Sequence, residues 1–151
     1  MFSTVRYFVK TSIGFLIIGT LTGLYMMFMQ KFNNTWPPAE MISAHTHVIL
    51  LGSVMMMIMG VALWFFPRAE KDDRLYKPDL ILFVYYLFTF STLIRYISQV
   101  ASAFSLSAVV KYIVVISSTL QVIGMILFFI SIWGRIRPVG SQHREARGEK
   151  F

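Results

Sequence analysis

"AHTHVILLGSVMMMIMGVALWFFPR", Ala44 to Arg68, carries two histidines at its entrance, His45 and His47, and then no polar residue but Ser53 until its closing Pro-Arg. A helix needs roughly 20 apolar residues to cross the hydrocarbon core of a bilayer, and this stretch supplies them. Three further blocks on either side do the same. The spacing predicts spans over about Thr11 to Met29, Pro38 or Ala39 to Phe66, Asp79 to Val100, and Ala108 to Trp133. The fold class that follows is all-α, a polytopic membrane protein with four transmembrane helices. Residues 1–137 form the transmembrane domain and 138–151 a flexible tail.

The composition agrees. Of 151 residues, 56% are hydrophobic, and mean hydropathy is positive. That apolar share exceeds the roughly 45–50% of soluble domains. With no cysteine, disulfides, thiolate metal sites and thiol nucleophiles are excluded. No phosphate loop, carboxylate dyad or nucleophile–base pair is present. The net charge of +7 belongs to basic loops rather than to nucleic-acid binding. One side of the membrane holds Arg6 and Lys10, then Arg68, Lys71, Arg74 and Lys77, then Arg135, Arg137, Arg144, Arg147 and Lys150. The other holds Lys31 and Lys111, with Arg95 just inside the bilayer. Basic loops stay cytoplasmic, so both termini are expected in the cytoplasm, in a bacterial-type inner (plasma) membrane. The basic start and first apolar run have the hallmarks of a signal peptide. "MMFMQKFNN", Met26 to Asn34, offers no small-x-small cleavage site, so the first span is read as retained.

This topology places His45 and His47 in the outer third of the bilayer and His143 in the tail on the opposite face. An ionisable group inside a membrane is costly and is a functional hypothesis by default. On a regular helix, residues two apart are separated by about 200°. The two histidines then face apart, and each needs partners from another helix, another subunit or a cofactor. Haem meets that need, since it takes one or two axial imidazoles. Gly52 lies seven residues after His45, about two turns along one face, and offers room for a macrocycle or a close helix. That shared face favours His45 over His47 as the ligand. Arg95, near the outer end of the third span, is the expected partner of a haem propionate, with snorkelling to the interface as the alternative. Trp36, Tyr96 and Lys111 have weaker claims on the same rim. Gly19 and Gly23 form a GxxxG that lets a second backbone approach. Met55, Met56, Met57 and Met59 suit Cu(I) chemically, but consecutive positions diverge and packing is the expected role. Glu40 reads as a helix-start charge.

At Ala44 to Arg68 the chain resembles the second helix of subunit I of the haem–copper oxidases and nitric oxide reductases. It resembles still more the HxHxxxxG segments of short membrane proteins related to them. The resemblance covers about one fifth of the chain closely, and the four-helix layout extends it loosely. It implies a cytoplasmic N-terminus and low-spin haem ligation by a second-helix histidine near the outer side. In that family, twelve helices form three quasi-equivalent groups of four, and arginines after the third helix of the last group hold haem propionates. This chain has one group's worth of helices, so a self-assembled trimer would imitate the whole. It departs from the family in having no second histidine-bearing helix, no cross-linked tyrosine signature and no His-His pair for copper. The resemblance thus implies haem binding without an oxygen-reducing centre, and leaves catalysis open. The sequence reading is a b-type, haem-binding homo-oligomer, trimer before dimer, that transfers electrons from a respiratory donor or binds a diatomic gas. The alternatives are an oligomeric copper or zinc site built from His45 or His47, and a non-catalytic accessory subunit of a respiratory complex.

Overall fold

The computed structural model describes residues 2–66, 78–104, 107–136 and 147–148. The connector 67–77, His143 and most of the tail lie outside the described residues. The described chain is helical without a strand. Four of its helices are long and apolar enough to cross a membrane: Ser3–Phe32, Ala39–Phe65, Asp79–Ser102 and Ala108–Arg135. This is a multi-pass membrane protein.

Helix α1 spans Phe2–Phe32. It stops where Asn34 turns left-handed at φ 50°, a conformation Asn tolerates better than most residues. The N–H groups of Asn33 and Thr35 both donate back to Met29 O at 3.2 Å, so a carbonyl of the last turn is satisfied as the helix ends. Helix α2, Ala39–His47, starts directly after Pro38, whose carbonyl accepts from the N–H groups of Met41 and Ile42. The second span does not stay α-helical. Val48–Met55 is a π-helical segment, and α3 resumes at Met56–Phe65. Phe66 is extended at ψ 146°, as the residue before a proline prefers. Helix α4 covers Pro78–Ser102 and α5 Ala108–Ile132, followed by a 3₁₀ turn at Trp133–Arg135.

Cross-helix contacts set an up-down-up-down order. Span two runs antiparallel to α1, with Gly60 against Phe8 and Val9 at one end and Gly19 against Val48 and Ile49 towards the other. A Cβ at Gly19 would overlap the Ile49 side chain, so the first glycine of the GxxxG does admit a close neighbour. Helices α1 and α4 run parallel, tied by two hydroxyl pairs: Thr11 with Tyr85 at 2.8 Å and Thr22 with Tyr96 at 2.6 Å. Helix α5 lies antiparallel on α4, with Gly124 beside Phe88. The first and last helices therefore meet at one end of the bundle, where Phe8 packs on Phe128.

That terminal half is apolar and closely packed. Phe8, Met56, Met59, Val84 and Phe88 are wholly buried, and the Phe8 ring meets Tyr85 edge-on at 5.2 Å. In lipid the gain comes from packing rather than from escaping water. Met55 and Met57, half-buried, complete the filling role expected of the methionine run. Large apolar side chains such as Ile17, Leu24, Ile58 and Phe90 point outward, as lipid contact requires. Arg135, 3% exposed, donates from Nη2 to Phe66 O at 3.1 Å and Leu63 O at 3.5 Å. It so closes the C-terminal end of α3, where a cation complements the helix dipole.

Candidate functional site

The distal half, away from the chain ends, gathers the polar residues. His45 lies against α1. Its Nδ1 is 2.9 Å from Gly19 O, and a Cβ added at Gly23 would come within 2.8 Å of the ring. The GxxxG thus does more than admit a helix: one glycine offers its carbonyl to an imidazole and the other makes room for it. His47 faces the other way, towards α4. Its Nδ1 is 2.8 Å from Ser43 O one turn back, and 3.3 Å from Ser43 Oγ. The opposed orientation predicted for the two histidines is what the bundle holds.

A nitrogen facing a carbonyl must carry a proton, so the neutral form of each ring is the Nδ1–H tautomer, with its lone pair on Nε2. Neither Nε2 makes a hydrogen bond among the described residues. This is the arrangement of a metal-ligating histidine, whose second nitrogen is held by a carbonyl that fixes ring and tautomer.

Around His47 runs a network drawn from three helices. Arg95 donates from Nη1 to Gln121 Oε1 at 2.8 Å. Gln121 donates to Thr92 Oγ1 at 2.7 Å, and Thr92 to Phe88 O at 2.7 Å. Gln99 donates from Nε2 to Ser43 Oγ at 2.9 Å, and so braces the turn that holds His47. Gln99 and Gln121 are 4% and 1% exposed. Two buried atoms of this network, Arg95 Nε and Gln99 Oε1, have no partner among the described residues. Leaving such groups unmatched in a low-dielectric interior is expensive. Residues His47, Arg95, Gln99 and Gln121 line one narrow cleft, too tight to admit a water molecule. Among the described residues Arg95 has no carboxylate partner, so its charge is left unbalanced there.

Of the two roles expected of Gly52, room for a macrocycle and room for a close helix, the second is what the bundle holds. The space beside it is taken: a Cβ there would meet Phe15 and Thr92, each at 3.0 Å. Its role is close packing of span two between α1 and α4, not room for a macrocycle. The preference for His45 rested on a regular helix between residues 45 and 52, and Val48–Met55 is π-helical. Wider i→i+5 turns break that register. Arg95 is bonded to an amide of α5 within the cluster. Trp36 and Lys111 are exposed and apart from the cluster, Glu40 is exposed in the first turn of α2, and Tyr96 joins it from the α1 side. Ser43, Thr92, Gln99 and Gln121 were not singled out from sequence. Their signal was there, since two glutamines interrupt otherwise apolar spans.

Among the described residues no group of three or more His, Asp or Glu is placed to hold a metal ion. No curated protein and no solved structure matches the chain. A family model described as "Protein of unknown function (DUF2871)" matches residues 5–135. That match takes in all four spans and every residue of the polar cluster, and the chain belongs to the DUF2871 family.

Proposed function

We propose that this protein binds b-type haem near the distal end of the bundle, ligated from the second span, and serves electron transfer or diatomic-gas binding. The observation that carries the reading is the pair of imidazoles held through Nδ1 on backbone carbonyls, each with Nε2 unengaged. His47 is the first choice of ligand, because Arg95 and Gln99 line the same cleft. Arg95 supplies the positive charge a haem propionate needs, and its Nε–H awaits an acceptor. When bound, the iron supplies a one-electron couple or an open position for a gas. The chain's part is to fix the imidazole, balance the propionate charge and keep water out.

The donor atoms fit haem, whereas a macrocycle does not fit within one chain. Phe15 and Thr92 fill the space at Gly52, and the cleft at His47 is narrow. On this reading the macrocycle lies against span two between copies of the chain, in a trimer first and a dimer second. The reading sets the protein in an inner membrane, with both termini cytoplasmic as the basic loops favour. A bare copper or zinc ion is disfavoured at His47 by the guanidinium beside it; a metal on a symmetry axis would use His45. The test is the visible spectrum of the purified protein, oxidised and reduced, with and without CO. A Soret band lost in the His45→Ala, His47→Ala double variant is expected. A colourless wild-type protein, or stoichiometric haem in the double variant, overturns the reading.

A further inference from the structure

A second cavity, independent of the haem reading, opens between α1 and α4 on the side away from α5. Its volume is about 470 Å³, within the roughly 300–1,000 Å³ of ligand pockets. Leu21 and Tyr25 of α1 face Val100 and Phe104 across it, and the Thr22–Tyr96 pair is part of its wall. The direction of that pair can be assigned. Thr22 Oγ1 donates its only proton to Ile18 O at 2.8 Å, so the 2.6 Å bond is donated by the Tyr96 hydroxyl. The phenolic proton is spent and the Tyr96 oxygen is left as an acceptor. Thr22 itself is buried, so its oxygen takes the tyrosine proton away from water.

We infer that this cavity binds a membrane-soluble amphiphile with an aromatic hydroxyl head, a phenol or hydroquinol on an apolar tail, which donates a hydrogen bond to the Tyr96 oxygen. Hydrogen-bond complementarity selects the head: an oxygen that only accepts needs a donor, and lipid acyl chains have none. Tyr25, Tyr96 and Phe104 among the lining residues suit a flat ring, since aromatic pairs add attraction beyond contact area. The apolar remainder, with the cavity open along the bundle's flank, suits a tail arriving from the bilayer. Tyr96 also borders the cleft of His47 and Arg95, so a bound ring would lie one side chain from the polar cluster.

The experiment is calorimetric titration of the detergent-purified protein with a decyl-substituted 1,4-hydroquinol and with its dimethyl ether, which keeps ring and tail but cannot donate. The hydroquinol should bind about tenfold tighter, the worth of roughly one hydrogen bond. Tyr96→Phe should erase that preference. Leu21 is 60% exposed, so Leu21→Trp can fill the cavity without disturbing the core. It should weaken both probes about tenfold with an unchanged melting temperature. Equal affinity of the two probes for the wild type would make the cavity an acyl-chain slot and overturn the inference. So would wild-type affinity for both probes in Leu21→Trp, or equally tight binding of a decyl alcohol.

Discussion

At the terminal end of the bundle the spans meet through Phe8, Met59, Val84 and Phe128; at the distal end the same spans meet through Ser43, His47, Arg95, Gln99 and Gln121. Two arginines, Arg135 buried and Arg95 half-buried, show the difference most sharply. Arg135 finds two carbonyls at the C-terminal end of a helix, the place where backbone dipoles favour a cation. Arg95 finds one neutral amide oxygen and, among the described residues, leaves Nε–H without an acceptor. One arginine completes a helix end, and the other keeps donor capacity that the described residues do not meet. The lesson is that the two ends of one bundle are held by different kinds of contact. Packing that stabilises has been gathered at one end, and unmet hydrogen-bonding capacity at the other.

The largest effect should come from the terminal half. Phe88 is wholly buried and packs on Gly124. Phe88→Ala leaves a cavity with few atoms able to collapse into it, and should cost about 3 kcal/mol. Unfolding in mixed micelles would measure it. A loss under about 1 kcal/mol, well below the usual cost of emptying an aromatic core site, would mean that stability is not concentrated where the aromatic contacts are.

His47→Ala reverses the expectation. Stability should change little, because the ring is only half-buried and its bond to Ser43 O lies within one turn of the helix. Haem retained through purification should fall more than tenfold. His45→Ala should lower it less, since that ring lies against the α1 backbone and away from Arg95. The reverse ranking would return the ligand to His45.

The division into halves was only partly legible in the sequence. Four apolar blocks and the turn residues around Pro37, Pro38 and Pro78 marked the spans to within a few residues at most ends; α1 extends well before Thr11, to Phe2. The opposed directions of His45 and His47 followed from helical geometry alone. Gly52 was legible only as a place of close approach, because spacing along a regular helix says nothing about a π-helical segment, and in Val48–Met55 only the Gly52–Ser53 pair interrupts the apolar run. Gln99 and Gln121 were visible as letters but not as a site. Their partners lie on other helices, and a sequence does not say which amide meets which arginine. The second use of the GxxxG was hidden for the same reason, since the group accepting from His45 is a backbone carbonyl, and every residue has one.

Arg95→Leu sharpens the contrast between the arginines. It removes an unbalanced charge from the bundle, so the apoprotein should be as stable as wild type or more so, because replacing buried charge by packed apolar volume is often stabilising. Haem retention should fall about threefold, or the midpoint potential should shift, as a propionate loses its countercharge. Thermal unfolding and a reductive titration would read both. A strongly destabilised apoprotein would show that the Arg95–Gln121–Thr92 chain is a structural tie, and the distal half would then resemble the terminal one.

The smallest effect is expected from Ser43→Ala, and it asks how His47 is held. Two atoms of Ser43 approach the imidazole: the carbonyl at 2.8 Å and the hydroxyl at 3.3 Å. The shorter contact is backbone and survives the substitution; the longer one exceeds the usual range of roughly 2.7–3.2 Å. The hydroxyl does matter to Gln99, whose Nε2 donates to it. In Ser43→Ala the Gln99 amide loses that acceptor, at a cost of about 1–2 kcal/mol in stability for a buried donor left unmatched. The tautomer and direction of His47 should not change. Haem retention should stay within about twofold of wild type, the small end of what one neutral hydrogen bond is worth, while the unfolding midpoint falls slightly. If Ser43→Ala loses haem as fully as His47→Ala, the imidazole is oriented by the side-chain network and not by the helix backbone. The distal half would then be one cooperative unit, in which Gln99→Leu should be as damaging as the loss of the histidine itself.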